Sequence, residues 1–152
     1  MNAIKELKIY IGIAEKISEA GTCKRMKTGA VIVKDGCIIG TGYNGSAKGD
    51  KHCLEHGCDM EHGHCVRCVH AEVNAIINAA RSGTSTVEAK MYCTHRPCHR
   101  CIKHIINSGI STVYYLNDYR DDRTTEVLAN TGYINQVYQV IKEKLHEDIH
   151  RD

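Results

Sequence analysis

Two short motifs bring together side chains that can bind a metal ion and transfer protons. One residue separates His70 from Glu72, and two residues separate Cys98 from Cys101, directly after the only proline. On a helix, a spacing of three directs both sulfurs to the same side. His70, Cys98 and Cys101 would give a tetrahedral Zn²⁺ three protein ligands and leave one position for water. Glu72 has no task in a closed structural site, but beside such a water it can move protons.

A purely structural zinc site is the alternative. Cys65 and Cys68 form a second C-x-x-C pair, which could combine with Cys98 and Cys101 in a four-cysteine ribbon. The 29 residues between Cys68 and Cys98 exceed the usual spacing of about 15–20 residues, and they contain a complete helical pattern. The catalytic interpretation is therefore favoured. The alternative outside the enzymes is a zinc-binding interaction module, which predicts a closed metal shell and no role for Glu72.

The composition limits the remaining function classes. The 152 residues include nine Cys and ten His but no Trp or Phe, and the formal net charge is +2. The odd cysteine count, and an N-terminus that mixes charged with apolar residues, argue against a secreted disulfide framework and favour the cytoplasm. No apolar run is long enough for a membrane span. Near-neutral charge and few aromatic rings argue against a nucleic-acid partner, so we expect a small-molecule substrate.

Hydrophobic periodicity predicts one domain over residues 1–152. Residues 4–17 have the spacing of an amphipathic helix, and residues 34–36 form a turn signal between two strands. Residues 44–69 read as a long polar loop that something must order. The full prediction is strands over 30–33, 37–42, 89–94, 111–116 and 133–138, with further helices over 73–80, 98–108, 121–131 and 140–149. A hairpin followed by alternating helices and strands implies an α/β fold, with a mixed five-stranded sheet and helices on both faces.

The motifs resemble those of a known enzyme family. His-Ala-Glu at 70–72 followed by Pro-Cys-x-x-Cys at 97–101 is similar to the zinc deaminase signature. Further segments resemble the deoxycytidylate (dCMP) deaminases, at 22–25, 29–33, 42–46, 64–67, 70–76 and 114–120. The resemblance implies a three-layer α/β/α cytidine-deaminase-like fold and a homo-oligomer, with a hexamer favoured. It also implies hydrolysis of dCMP to dUMP and ammonia, which supplies dUMP for thymidylate synthesis. In many relatives dCTP activates and dTTP inhibits, and such an effector implies Mg²⁺.

The resemblance also implies roles for individual residues. Glu72 would move protons as C4 of cytosine is attacked. Asn44 matches a position that hydrogen-bonds the sugar, although Asn-Gly alone is also a common turn. Tyr119 lies in a pocket-lining segment, with a core tyrosine as the alternative. The other implied substrate contacts are Ala71 and, near the phosphate, Ser46 and Lys48. Arg81 matches an arginine tied to effector response and subunit contact, whereas an ordinary helix-end arginine is the alternative. Deamination of dCTP or another cytosine nucleotide is the alternative reaction.

A second, structural zinc is the other implication of the resemblance. Cys23 and Cys53 match two of its ligands, and Cys58 and His64 are the favoured others, with Cys65 as the substitute. His56, His62 and Cys68 are the remaining donors in the loop, and Cys68 is the least favoured of the cysteines. The alternative is that these are unligated loop residues. Because the loop is too polar to order itself by burying apolar surface, the zinc is favoured.

Overall fold

A computed structural model of the protein describes residues 1–145. The helices and strands begin and end close to the predicted bounds in most of the chain. In chain order they are α1 (Ala3–Ser18), β1 (Gly29–Lys34), β2 (Cys37–Tyr43), β3 (Gly45–Ser46), α2 (Cys53–His56), β4 (Met60–Glu61), β5 (His64–Cys65), β6 (Cys68–Val69), α3 (Ala71–Arg81), β7 (Lys90–His95), α4 (His99–Asn107), β8 (Thr112–Asn117), α5 (Asp122–Thr131) and β9 (Val137–Gln139). Within residues 1–145, no helix is both long enough and apolar enough to span a membrane.

Five of the strands form one mixed sheet, as the sequence predicts. Their order is β2-β1-β7-β8-β9. The β1 strand pairs antiparallel with both β2 and β7, whereas β7 with β8 and β8 with β9 are parallel. The antiparallel part comes from the hairpin at 34–36. The parallel part comes from the crossovers through α4 and α5, because parallel neighbours require such a connection.

Helices cover both faces of the sheet. On one face, α1 packs Tyr10, Ile11 and Ala14 against side chains of β1 and β7. On the other face, α3, α4 and α5 cover a second core cluster that includes Ile32 and Met91. Five of the six β1 residues are buried, because alternate residues meet different helical layers. The predicted three-layer α/β/α arrangement is confirmed.

The close approach of α3 to β2 depends on small residues. A Cβ at Gly42 would lie 2.2 Å from the carbonyl oxygen of Ala71 and 2.5 Å from the backbone nitrogen of Ala75. Gly40 faces the same helix one turn later, with the carbonyl oxygen of Ala75 at 2.5 Å from an ideal Cβ. The helix therefore rests almost directly on the strand, and this contact sets the position of residues 70–72.

Three parts of the chain differ from the prediction. The 44–69 segment is not structureless, because it contains α2 and two small sheets, β3 with β6 and β4 with β5. The strand predicted over 133–138 is wrong in its first half. Tyr133–Gln136 is a 3-10 helix in which the Tyr133 hydroxyl donates a hydrogen bond to the Ile110 carbonyl, so only Val137–Gln139 reaches β8.

The last predicted helix also begins later than expected. The backbone N–H of Val140 donates to the carbonyl of Tyr115, which keeps residue 140 at the sheet edge, and a 3-10 helix follows at Lys142–Leu145. The rest of the predicted helix, residues 146–149, lies outside the described residues.

Candidate active site

Two helix N-termini meet, and each carries side chains that could hold a metal ion. His70 is the N-cap residue of α3, Cys98 is the N-cap residue of α4, and Cys101 lies in the first turn of α4. Nδ1 of His70 is 3.5 Å from Sγ of Cys98 and 3.3 Å from Sγ of Cys101. The three ligand atoms lie within 4.8 Å of one another. One imidazole nitrogen and two thiol sulfurs in this arrangement fit the donor set of a catalytic Zn²⁺.

The electrostatics of the three residues suit a cation. Hydrogen bonding with Cys101 and with His70 lowers the pKa of Cys98 to about 3, so this sulfur is a thiolate at neutral pH. Hydrogen bonding with that thiolate raises the pKa of His70 to about 9. The positive ends of the α3 and α4 dipoles favour the thiolate further. A bound divalent cation would take the place of the proton that His70 now shares with the thiolate.

Glu72 is buried beside the three donors. It is the second residue of α3 and only 8% exposed. Burial raises the pKa of its carboxyl group, against the opposing effect of the nearby His70 charge. A carboxyl group with a raised pKa can both accept and return a proton near neutral pH.

A pocket opens over this group of residues. It is a small cavity of about 50 Å³ that opens to solvent. Among its lining residues in the described chain, Glu72 is the only carboxylate. The lining comprises Cys23, Arg25, Met26, Thr28, Asn44, His64, Cys65, Cys68, His70, Glu72, His95, Arg96, Cys98 and Tyr119.

Comparison with known proteins places the chain in a family. Residues 4–117 match the model for the cytidine and deoxycytidylate deaminase zinc-binding region. The chain belongs to this deaminase family. It is 42% identical over 120 residues to ComE operon protein 2 of Bacillus subtilis (strain 168), a match that covers 79% of this chain. It is 33% identical to the deoxycytidylate deaminase of Enterobacteria phage T4, over 89% of this chain and 90% of the phage protein.

A solved structure is also similar to this deaminase-family chain. The dCMP deaminase of cyanophage S-TIM5, crystallised with dCMP and dUMP, is 36% identical and superposes with a TM-score of 0.79. That match covers 92% of this chain and 99% of the cyanophage chain. The chain spans 64% of the length of ComE operon protein 2 and 45% of the deoxycytidylate deaminase of Saccharomyces cerevisiae (strain ATCC 204508 / S288c).

Asn44 lines the pocket, but its amide already binds the backbone. Oδ1 accepts a hydrogen bond from Thr28 N–H at 2.8 Å, and Nδ2 donates to the carbonyl of Met26 at 2.6 Å. These contacts hold the 26–28 segment at the pocket wall. Each amide atom keeps one further hydrogen-bonding capacity for a ligand.

Tyr119 lines the same pocket and contacts a chain of polar groups behind it. Its hydroxyl is 3.2 Å from Nδ1 of His64, and the His64 ring packs edge-on against His99 at 5.6 Å. Asp121 Oδ2 accepts hydrogen bonds from both the backbone and the ring of His99, each at 2.9 Å. Burial opposes ionisation of Asp121, but these hydrogen bonds outweigh it and lower its pKa to about 2.

Other residues expected at the substrate lie elsewhere. The Ser46 hydroxyl donates to the carbonyl of Lys51 at 2.6 Å, and neither Ser46 nor Lys48 lines the pocket. Ala71 is buried where α3 contacts β2, and it does not line the pocket. Arg81 is exposed in the last turn of α3, beside a groove formed with Ile38 and Asn78.

Three cationic or polar lining residues were missed from the sequence. Arg25, Arg96 and His95 line the pocket. Arg25 lies within the 22–25 segment, Arg96 directly precedes Pro97, and His95 lies two residues before Pro97, so their place in or near the motifs was the available signal. Which of these side chains turn inward depends on strand and loop geometry that the sequence pattern does not specify.

A separate cluster of thiols lies in the 44–69 segment and the loop after α1. Sγ atoms of Cys23, Cys53, Cys58 and Cys65 lie within 4.8 Å of one another. The fifth thiol, Cys68, is 3.3 Å from Cys53, but it does not belong to this mutual set. Four cysteine sulfurs at this spacing fit the donor set of a structural zinc site.

The structure brings Cys65 rather than His64 into this cluster. The two residues are neighbours in β5, and successive strand residues point to opposite faces. His64 therefore turns towards Tyr119 while Cys65 meets the other sulfurs. Burial opposes ionisation of Cys65, but hydrogen bonds from Cys68 N–H and the Cys53 thiol outweigh it and lower its pKa to about 7. The fourth candidate ligand of the second metal site is therefore Cys65 and not His64, which the sequence favoured.

Proposed function

We propose that this protein is a zinc-dependent deaminase that hydrolyses dCMP to dUMP and ammonia. The observation that carries the proposal is the buried Glu72 beside His70, Cys98 and Cys101, with a pocket open on the same side. A closed structural zinc site has no use for such a carboxylate. The family membership and the printed activity of the phage relatives support the same reaction.

The residues around the pocket supply the steps of a hydrolytic deamination. Zn²⁺ held by His70, Cys98 and Cys101 would lower the pKa of water to near 7 and so supply the nucleophile. Glu72 accepts the first proton of this water and delivers it to N3 of the ring; it then takes the second proton from the new C4 hydroxyl and gives it to the amino group, which leaves as ammonia. Attack at C4 replaces that amino group with oxygen, so cytosine becomes uracil and ammonia leaves.

The cationic wall of the pocket supports a nucleotide substrate over a free base. Arg25 and Arg96 line it together with Tyr119, and guanidinium groups bind phosphate in bidentate geometry. Ser46 and Lys48, by contrast, do not line the pocket. Deamination of dCTP, or of both nucleotides, is the alternative, since a larger phosphate group would meet the same arginines.

We further propose a second, structural zinc held by Cys23, Cys53, Cys58 and Cys65. The mutual closeness of their sulfurs supports it, as does the shortage of apolar side chains that could otherwise order residues 44–69. We also propose that the protein is cytoplasmic, which nine cysteines without a disulfide support.

The remaining proposals concern assembly and regulation. We propose that residues 1–152 form one deaminase domain and assemble as a homo-oligomer, a hexamer by family resemblance. Exposed Ile38, Tyr43 and Ile77, on the edge strand β2 and on α3, support an interface on that side. Arg81 lies on the same side of the molecule, beside Ile38. We propose that it takes part in regulation by dCTP and dTTP, with Mg²⁺. Light scattering during gel filtration measures the oligomeric state, and the same measurement with dCTP or dTTP tests whether these nucleotides act on the assembly.

The test of the reaction is ammonia release from a substrate panel. Zinc-loaded protein is given dCMP, dCTP, CMP, deoxycytidine and cytosine, with and without dCTP or dTTP as effector. We expect dCMP to react fastest. Glu72→Gln should keep the zinc content and melting temperature but lose at least about 10²–10⁴-fold in turnover. Glu126→Gln, an exposed residue of α5, is the matched control. Near wild-type turnover by Glu72→Gln would refute the proposal, and no ammonia from any compound would favour the interaction module.

A further inference from the structure

The last two residues of β7 form a short hydrogen-bonded relay that ends in the pocket. Thr94 is 3% exposed, and its Oγ1 accepts a hydrogen bond from the backbone N–H of Gly29 at 3.0 Å. The same oxygen lies 3.0 Å from Nδ1 of His95. His95 is half-buried, and it lines the pocket together with Glu72 and Arg96.

The hydroxyl hydrogen of Thr94 determines the tautomer of His95. A buried O–H group needs an acceptor. Within residues 1–145, Oγ1 of Thr94 has only Gly29 N–H and His95 Nδ1 as partners. Because Gly29 N–H is itself a donor, the Thr94 hydroxyl must donate to His95. Nδ1 is then an acceptor, and a neutral imidazole carries its hydrogen on Nε2.

The other nitrogen of His95 is available to a ligand. Burial lowers the pKa of His95, so the ring is neutral at pH 7. In the part of the chain that the structure describes, Nε2 has no hydrogen-bonding partner. The ring therefore offers the pocket a fixed N–H donor, and it cannot accept a hydrogen bond from an amino group.

We propose that His95 is a substrate-binding residue whose Nε2–H donates to an oxygen of the nucleotide, and that Thr94 positions it by holding Nδ1 as an acceptor. This inference rests on the proposed deaminase function. The oxygen belongs either to the phosphate or to the base and sugar, and comparison of dCMP with deoxycytidine distinguishes these sources.

The first test separates substrate binding from chemistry. Because one hydrogen bond from a neutral donor is lost, His95→Leu should raise KM for dCMP by about 5–10-fold at unchanged kcat. His95→Gln, whose amide can place an N–H near the position of Nε2, should stay within about twofold of the wild type. His104→Leu, at an exposed ring on α4, is the control. If leucine and glutamine at position 95 give the same KM as the wild type, the inference is refuted.

The second test reads the tautomer directly and needs no turnover. In ¹⁵N-histidine spectra, with His95 assigned through His95→Gln, we expect Nδ1 unprotonated and Nε2 protonated at pH 7. Thr94→Ser should preserve this state, whereas Thr94→Val should give a tautomer mixture. Since valine also leaves Gly29 N–H unpaired, its melting temperature is measured first. A wild-type spectrum with hydrogen on Nδ1 would overturn the inference.

Binding measurements separate this inference from the proposed function. In a Glu72→Gln background, His95→Leu should weaken dCMP binding by the same factor that it raises KM. If only dCMP binding weakens, the oxygen is on the phosphate; if deoxycytidine binding weakens equally, it is on the base or sugar. If neither changes, His95 does not bind substrate. Failure of the wild type to deaminate dCMP would refute the proposed function instead.

Discussion

Substitution of Gly42 by alanine tests whether the contact between α3 and β2 positions the active site. The new Cβ would lie 2.2 Å from Ala71 O, 2.5 Å from Ala75 N and 3.0 Å from the carbonyl carbon of Asn74. All three atoms are backbone, so no side chain can rotate away. To reach an ordinary contact of 3.4 Å or more, the start of α3 must retreat by about 1 Å. His70 and Glu72 must move with it.

Two separate losses are expected from this displacement. Overpacking of this kind costs about 1–3 kcal/mol of the free energy of unfolding. A misplacement of about 1 Å in a catalytic group can cost about 10²-fold in rate, so we expect a 10- to 100-fold loss in kcat/KM for dCMP. Denaturant unfolding measures the first loss. Initial rates of ammonia release, on protein shown to be folded and zinc-loaded, measure the second.

Gly12→Ala is the matched control for this experiment. It makes the same chemical change in the middle of α1, where a Cβ meets nothing within 4 Å. Alanine is the better helix former, so this variant should gain about 0.5–1 kcal/mol in stability with unchanged turnover. If Gly42→Ala matches the wild type in both stability and kcat/KM, α3 does not depend on this contact and the reasoning is wrong.

Three further predictions follow from the site and its surroundings. Cys65→Ser should lower the zinc content from two to one per chain while Cys68→Ser keeps two, and equal zinc contents for the two variants would contradict the four-cysteine set. Asp121→Asn keeps a capping side chain on α5 but loses the charge. Because the pKa of Asp121 is about 2 in the folded protein and 3.8 in the unfolded chain, this loss should reduce the free energy of unfolding at pH 7 by about 2 kcal/mol. A lowered carboxyl pKa contributes its full stability above the unfolded pKa and loses it as the pH falls to the folded pKa. The difference in stability between wild type and Asp121→Asn should therefore shrink between pH 4 and pH 2, and a constant difference across that range would contradict the prediction. Asn44→Ala, which leaves Thr28 N–H and Met26 C=O without their partner, should cost about 2 kcal/mol and raise KM for dCMP, and an unchanged melting temperature would show that the 26–28 segment does not need this side chain.

The sequence was most informative where chemistry and periodicity depend on local spacing. The helices and the central strands follow from side-chain alternation, since a period of 3.6 or 2 reflects which face is buried. The predicted strand at 133–138 was wrong at its start because Tyr133 hydrogen-bonds Ile110, a residue distant in the chain. Ser46 and Lys48 were expected near the phosphate from resemblance, but Ser46 instead bonds Lys51. Such non-local partners leave no periodic signal.

By itself the sequence determined the α/β architecture and the His-x-Glu and Pro-Cys-x-x-Cys motifs, because helix and strand periods and short-range ligand spacing are local properties. Only the tertiary structure decided which loop side chains share a site. It separated His64 from Cys65, although the two are adjacent, because neighbouring strand residues face opposite ways. It also brought Thr94, Gly29 and His95 into one relay, through the pairing of β1 with β7. The physical reason is that strand pairing and helix packing join residues far apart in the chain, at distances that no spacing in the sequence records.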